Sequence, residues 1–99
     1  MGQWPTILLV LDSVITVVET RPFMKAAADL MTDREREGFI SFIARYPASG
    51  AIVKGSGGVR KARWAAKGRG KSGGVRVIYY YHSQAVPLFL LRGCSKINS

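Results

Sequence analysis

The sequence predicts an α+β domain: a two-helix hairpin packed on one face of an antiparallel sheet of three to four strands, in the order β-α-α-β-β-β. Three observations predict it. A short β-branched run precedes two amphipathic segments that carry helix start and stop signals. After Gly50 the apolar period changes from that of a helix to the alternation of strands. The 99 residues, 47% of them hydrophobic, suit one domain with a modest core, and nothing in them suggests a second.

Residues 1–13 show no clear pattern and read as a first strand or an N-terminal extension of a domain spanning 1–99. The apolar run "PTILLVLDSVITVV" is broken by Asp12 and Ser13 and falls short of the roughly 20 apolar residues a membrane span needs. "MGQWP" lacks the basic start of a signal peptide. A single cysteine, Cys94, allows no internal disulfide and suits a reducing compartment. A cytoplasmic protein without a membrane partner is expected, with Cys94 a small buried hydrophobe.

"VITVVE" (Val14–Glu19), β-branched and compact, reads as a strand. "TRPFMKAAADLM" is a helix: Pro22 suits its first turn, and Phe23, Ala26, Ala27 and Leu30 form one apolar stripe. Thr32 and Glu35 have the spacing of a capping box. The helix they open sets Phe39, Ile40, Phe42, Ile43 and Tyr46 on one side, and Pro47 and Gly50 end it. "AIVKG" is a short strand. "VRKARWAA" alternates, with Val59, Lys61, Arg63 and Ala65 on one face and Arg60, Ala62, Trp64 and Ala66 on the other. "VRVIYYYH" (Val75–His82) is a strand by composition, and "VPLFLL" (Val86–Leu91) a strand buried on both faces, with "SQA" as the turn between them.

Charge is divided along the chain. Residues 1–37 hold all six acids and four bases; residues 38–99 hold eleven bases and no acid. A half that positive attracts polyanions, of which nucleic acid is the commonest, whereas a merely solubilising surface usually mixes both signs. The bases concentrate between Gly57 and His82: Arg60, Lys61, Arg63, Lys67, Arg69, Lys71 and Arg76.

Gly68, Gly70 and Gly73 satisfy G-x-G-x-x-G, and "GKS" at Gly70–Ser72 has the end of a P-loop. Both motifs need a helix after the glycines, so that its N-terminus meets the phosphates, and here a strand follows. No cofactor is expected. The absence of a Cys/His cluster excludes a structural zinc site, so no metal is expected either. His82, at a strand end, is more often a polar turn residue than a catalytic base.

There remains a basic, glycine-rich loop, Lys67–Gly74, between two strands, with Lys61, Arg63 and Arg76 converging on one sheet face. Glycines let backbone N–H groups approach an anion, and cations held together against their repulsion suit a phosphate chain. A solvated hairpin is the plainer alternative. Trp64, Tyr79, Tyr80 and Tyr81 lie nearby; stacking on RNA bases is open to some, and packing is the commoner role.

"ARYPASGAIVKG", "GSGGVRKARWA", "GRGKSGGVRVIYYY" and "VPLFLL" resemble the HigB branch of the RelE/ParE superfamily of type II toxins, from about Ile15 to Lys96. The resemblance implies two helices on an antiparallel sheet and a toxin that cleaves mRNA, usually on the ribosome, without metal. It also implies an antitoxin with a helix-turn-helix domain, like HigA. It places Arg76 at the catalytic arginine position, on the scissile phosphate. Lys61 and Arg63 fall at basic strand positions that stabilise charge, and Lys71 acts similarly from the loop. Arg60, Lys67, Arg69 and Lys96 extend the RNA-binding surface. Relatives continue beyond the stretch corresponding to "LLRGCSKINS", so the C-terminal segment is short, and Cys94 stands where they tend to have tyrosine. Two alternatives accompany this reading: a truncated relative that binds antitoxin or RNA without cutting, and a ParE-like inhibitor of DNA gyrase.

Overall fold

The structure, a computed structural model, describes residues 14–66 and 74–95. Strand β1 (Val17–Glu19) leads into helix α1 (Arg21–Leu30) and helix α2 (Asp33–Arg45). Strands β2 (Ala51–Ile52), β3 (Val59–Trp64), β4 (Val75–Tyr80) and β5 (Leu88–Ser95) follow. The α+β class is the expected one, with one strand more than the expected β-α-α-β-β-β order.

The sheet departs from expectation. It has five strands rather than three or four, in the order β1-β5-β4-β3-β2, and it is mixed. The pairs β2–β3, β3–β4 and β4–β5 are antiparallel, whereas β1 runs parallel to β5, with Val17 opposite Leu88 and Glu19 opposite Leu90. Alternating side chains report which face a residue occupies; they say nothing of which strand lies beside it or in which direction. β1 covers the edge β5 would otherwise expose. Thr20 secures the junction: its hydroxyl donates to the Leu90 carbonyl at 2.7 Å while capping α1 by accepting from the Phe23 N–H.

α1 and α2 are linked by Met31 and Thr32 alone. Thr32 forms the expected capping box, accepting from the Glu35 N–H at 3.1 Å while its own N–H donates to Glu35 Oε1 at 2.9 Å. Arg36 Nη1 donates to Glu19 Oε1 at 2.6 Å and ties α2 to β1. The carboxylate holds the Arg36 guanidinium pKa above its ordinary value.

The core lies between the helices and one sheet face. Phe23, Ala27 and Met31 meet Phe39 and Ile43 of α2, with Val75, Val77, Tyr79, Leu88 and Leu90 beneath them. "VPLFLL" is therefore buried on one face, not two: Leu88 and Leu90 point inward, and Phe89 is only half-buried.

Tyr79 joins core to loop. Its ring is fully buried, and its hydroxyl donates to the Pro47 carbonyl at 2.8 Å and accepts from the Gly50 N–H at 2.9 Å. A Cβ on Gly50 would lie 2.6 Å from that oxygen, so the approach requires glycine. Burial raises the Tyr79 hydroxyl pKa above the usual phenolic value, against the opposing effects of the Gly50 N–H and the Arg60 charge.

Two stability predictions follow. Tyr79→Phe leaves the Gly50 N–H without its acceptor and lowers stability by about 1–3 kcal/mol. Thr32→Ala removes a helix cap and costs about 1 kcal/mol. Each kcal/mol lowers the midpoint of thermal unfolding by about 4–8 °C in a domain of this size, which calorimetry reads directly.

Candidate nucleic-acid interface

Alternation along β3 and β4 sorts side chains between the helix-covered face and a face on which no described element lies. On β4, Val75, Val77 and Tyr79 go inward, leaving Arg76, Ile78 and Tyr80 outward. On β3, Lys61 and Arg63 are exposed while Trp64 packs under α2. The expected face assignment of β3 thus holds.

Register brings the outward cations together. Arg63 stands directly opposite Arg76, and Lys61 opposite Ile78, one pair further along. Directly opposed residues have Cα atoms about 4.5–5.5 Å apart, and opposed like charges destabilise a sheet. Ala51 pairs with Lys61, and with Lys61, Arg63 and Arg76 it lines a shallow depression of about 260 Å³. The described acids, Glu19, Asp29, Asp33, Glu35 and Glu37, all lie on β1 and the two helices. On β1 and the helices these acids are matched by Arg21, Lys25, Arg34, Arg36 and Arg45, whereas the cations of the open sheet face have no acid among them. Such a floor can hold a phosphate, and its fixed cations can stabilise charge that develops at phosphorus.

β5 adds a cation that alternation concealed. Leu88 and Leu90 face the core, so strict period two would bury Arg92 as well. Instead Leu90 pairs with Tyr79 and Arg92 with Ile78, leaving Leu91 as an extra residue in a bulge. The bulge reverses the phase of the strand. Arg92 is exposed, and Ser95 is buried. An arginine in phase with two core leucines is the sequence signal that the phase must break. Cys94, opposite Arg76, is half-buried.

Other predicted positions fall elsewhere. Arg60 lies on the helix-facing side of β3, away from Lys61 and Arg63. Its Nη1 donates to the carbonyls of Gly50 at 2.8 Å and Ala48 at 3.2 Å, so its charge fastens the turn after α2. Lys67, Arg69, Lys71 and Lys96 lie outside the described residues.

The aromatic residues separate in the same way. Trp64 is structural: its Nε1–H donates to the Glu35 carbonyl at 3.0 Å, and its ring meets Phe39 and Phe42 at centroid distances of 5.4 and 5.3 Å. Tyr79 is the buried loop anchor, and Tyr81 is partly buried against the core. Tyr80 belongs to the outward face, and exposed His82 stacks on it.

Among the described residues, no three His, Cys, Asp or Glu side chains gather as metal ligands. No described helix is long and apolar enough to cross a membrane. No protein-family model matches the chain.

Proposed function

We propose that this protein is an endoribonuclease toxin of the HigB kind, which arrests translation by cutting mRNA, and that RNA lies on the outward face of its sheet. The observation that carries the reading is the juxtaposition of Lys61, Arg63 and Arg76 on that face, with no acid on β2–β5 to neutralise them. In this reading Arg76 holds the scissile phosphate, and Arg63, directly across the ladder, shares the charge that grows on the non-bridging oxygens. The nucleophile is the RNA's own 2′-OH, attacking phosphorus in line with the departing 5′ oxygen, so the protein supplies alignment and charge. Lys61 and Arg92 receive the flanking phosphates. The ribosome as the place of cutting, a cytoplasmic location and a helix-turn-helix antitoxin belong to the same proposal, and rest on the resemblance of "RKARW" and "GKSGGVRV" to that family.

Mapping mRNA 5′ ends after induction in bacteria tests it. The unmodified chain is expected to create new ends within coding sequences. Arg76→Ala is expected to reduce them by about a hundredfold to a thousandfold, the usual cost of removing one preorganised charge-stabilising donor. Identical maps for both chains would sink the catalytic assignment and leave a binder without cleavage; DNA damage in place of mRNA loss would indicate gyrase.

Binding to RNA that cannot be cut provides a second measurement. Four phosphate contacts, from Lys61, Arg63, Arg76 and Arg92, give a slope of log affinity against log salt of about −3. Arg63→Ala should make that slope shallower by about 0.7 while leaving the fold intact, since Arg63 is exposed.

A further inference from the structure

The outward face changes character along β4. Its first rows are cationic, with Arg63, Arg76, Lys61 and Arg92. Its last row is apolar and aromatic, with Val59, Tyr80 and Phe89 side by side on three strands. Past the end of β4, His82 lies parallel to Tyr80, the ring planes within 4° and the centroids 6.4 Å apart. The turn that precedes β3 also packs against Tyr80. Gly58 has a φ of +139°, and a Cβ there would come within 2.8 Å of Tyr80 Cε1, so the ring rests where only glycine leaves room. One aromatic ring is thus fixed at the end of a basic track, and a second, exposed one is stacked on it.

We propose that Tyr80 and His82 form a nucleobase subsite for single-stranded RNA, taking an unpaired base that flanks the phosphate held by Arg63 and Arg76. This rests on the RNA reading above and adds what that reading lacks, a contact to the base rather than to the backbone. Every base has a π-face, so a stacking platform accepts RNA without demanding one sequence, provided the base is not already stacked in a duplex. Tyr80 lies four steps along the strand from Arg76, about 13 Å at the usual rise. A mononucleotide does not bridge that span, whereas a short oligonucleotide does. The pair therefore selects for chain length and for single strands.

The test compares two probes of equal length by fluorescence anisotropy: a 2′-O-methyl oligoribonucleotide, which offers no 2′-OH to attack phosphorus, and its abasic counterpart with the same phosphates. The unmodified protein should bind the base-bearing probe more tightly, by between about fivefold and a hundredfold, the range expected for stacking one base. His82→Ala should shrink that preference and Tyr80→Leu abolish it, both with little change in affinity for the abasic probe. Tyr80→Phe, which keeps the ring, should retain it. Equal binding of the two probes by the unmodified protein overturns the subsite and leaves the cationic face standing. A preference that survives in the Tyr80→Leu, His82→Ala double variant also overturns it. Failure to bind either probe overturns both the subsite and the RNA reading.

Discussion

The Tyr79 hydroxyl holds the two halves of the molecule in relation to one another. Its ring belongs to the core shared by helices and sheet, and its oxygen takes the Gly50 N–H and gives its proton to Pro47. These two contacts fix how the chain leaves α2 and enters β2. Arg60 secures the same turn by donating to Ala48 and Gly50. With the turn set, Ala51 meets Lys61 and Ile52 meets Arg60, and the phase of β3 against β4 follows. A slip of one residue would exchange the faces, sending Lys61 and Arg63 toward Phe39 and Ile43 and bringing Trp64 out. The position of the cations therefore depends on a hydroxyl on the opposite side of the sheet.

That arrangement has an electrostatic cost. Two unit charges about 6 Å apart repel by roughly 0.7 kcal/mol in water, and more where solvent is partly excluded. Arg63 opposite Arg76 accepts that repulsion, and Arg92 adds another cation one strand away. Acids on β2–β5 would relieve it, yet the described acids all lie on β1 and the helices, where Glu19 pairs with Arg36. A surface that tolerates self-repulsion is preorganised for a polyanion, whose binding removes the repulsion and releases counterions.

Much of this was legible in the sequence, for reasons that can be named. Helix boundaries carry local chemistry, so the Thr32–Glu35 box marked the start of α2 correctly. Faces follow from period two, so Lys61 and Arg63 were correctly separated from Trp64. Neighbours leave no local trace. The parallel pairing of β1 with β5 arises from chain ends that are distant in sequence, and nothing in "VITVVE" indicates direction. Arg60 shows the same limit for a side chain. Its neighbours in "VRKARW" are outward cations, and its role appears only once the carbonyls of Ala48 and Gly50 are brought beside it.

Arg92 is the most instructive case. In a regular strand it would share the face of Leu88 and Leu90, and a guanidinium there would be a buried charge without a partner, which is among the costliest placements in a core. Such a charge can be met by an acid or by backbone carbonyls, as Arg60 is on β3, or the strand can lose phase. β5 loses phase at Leu91, and the same reversal that frees Arg92 turns Gly93 toward α1 and buries Ser95. The lack of carboxylates that makes the open face positive also leaves Arg92 no acidic partner on β2–β5, and the bulge carries it out to that face. Arg60 and Arg92 thus begin from the same difficulty and end on opposite faces, one held inside by the carbonyls of Ala48 and Gly50 and the other released outward by a break in phase.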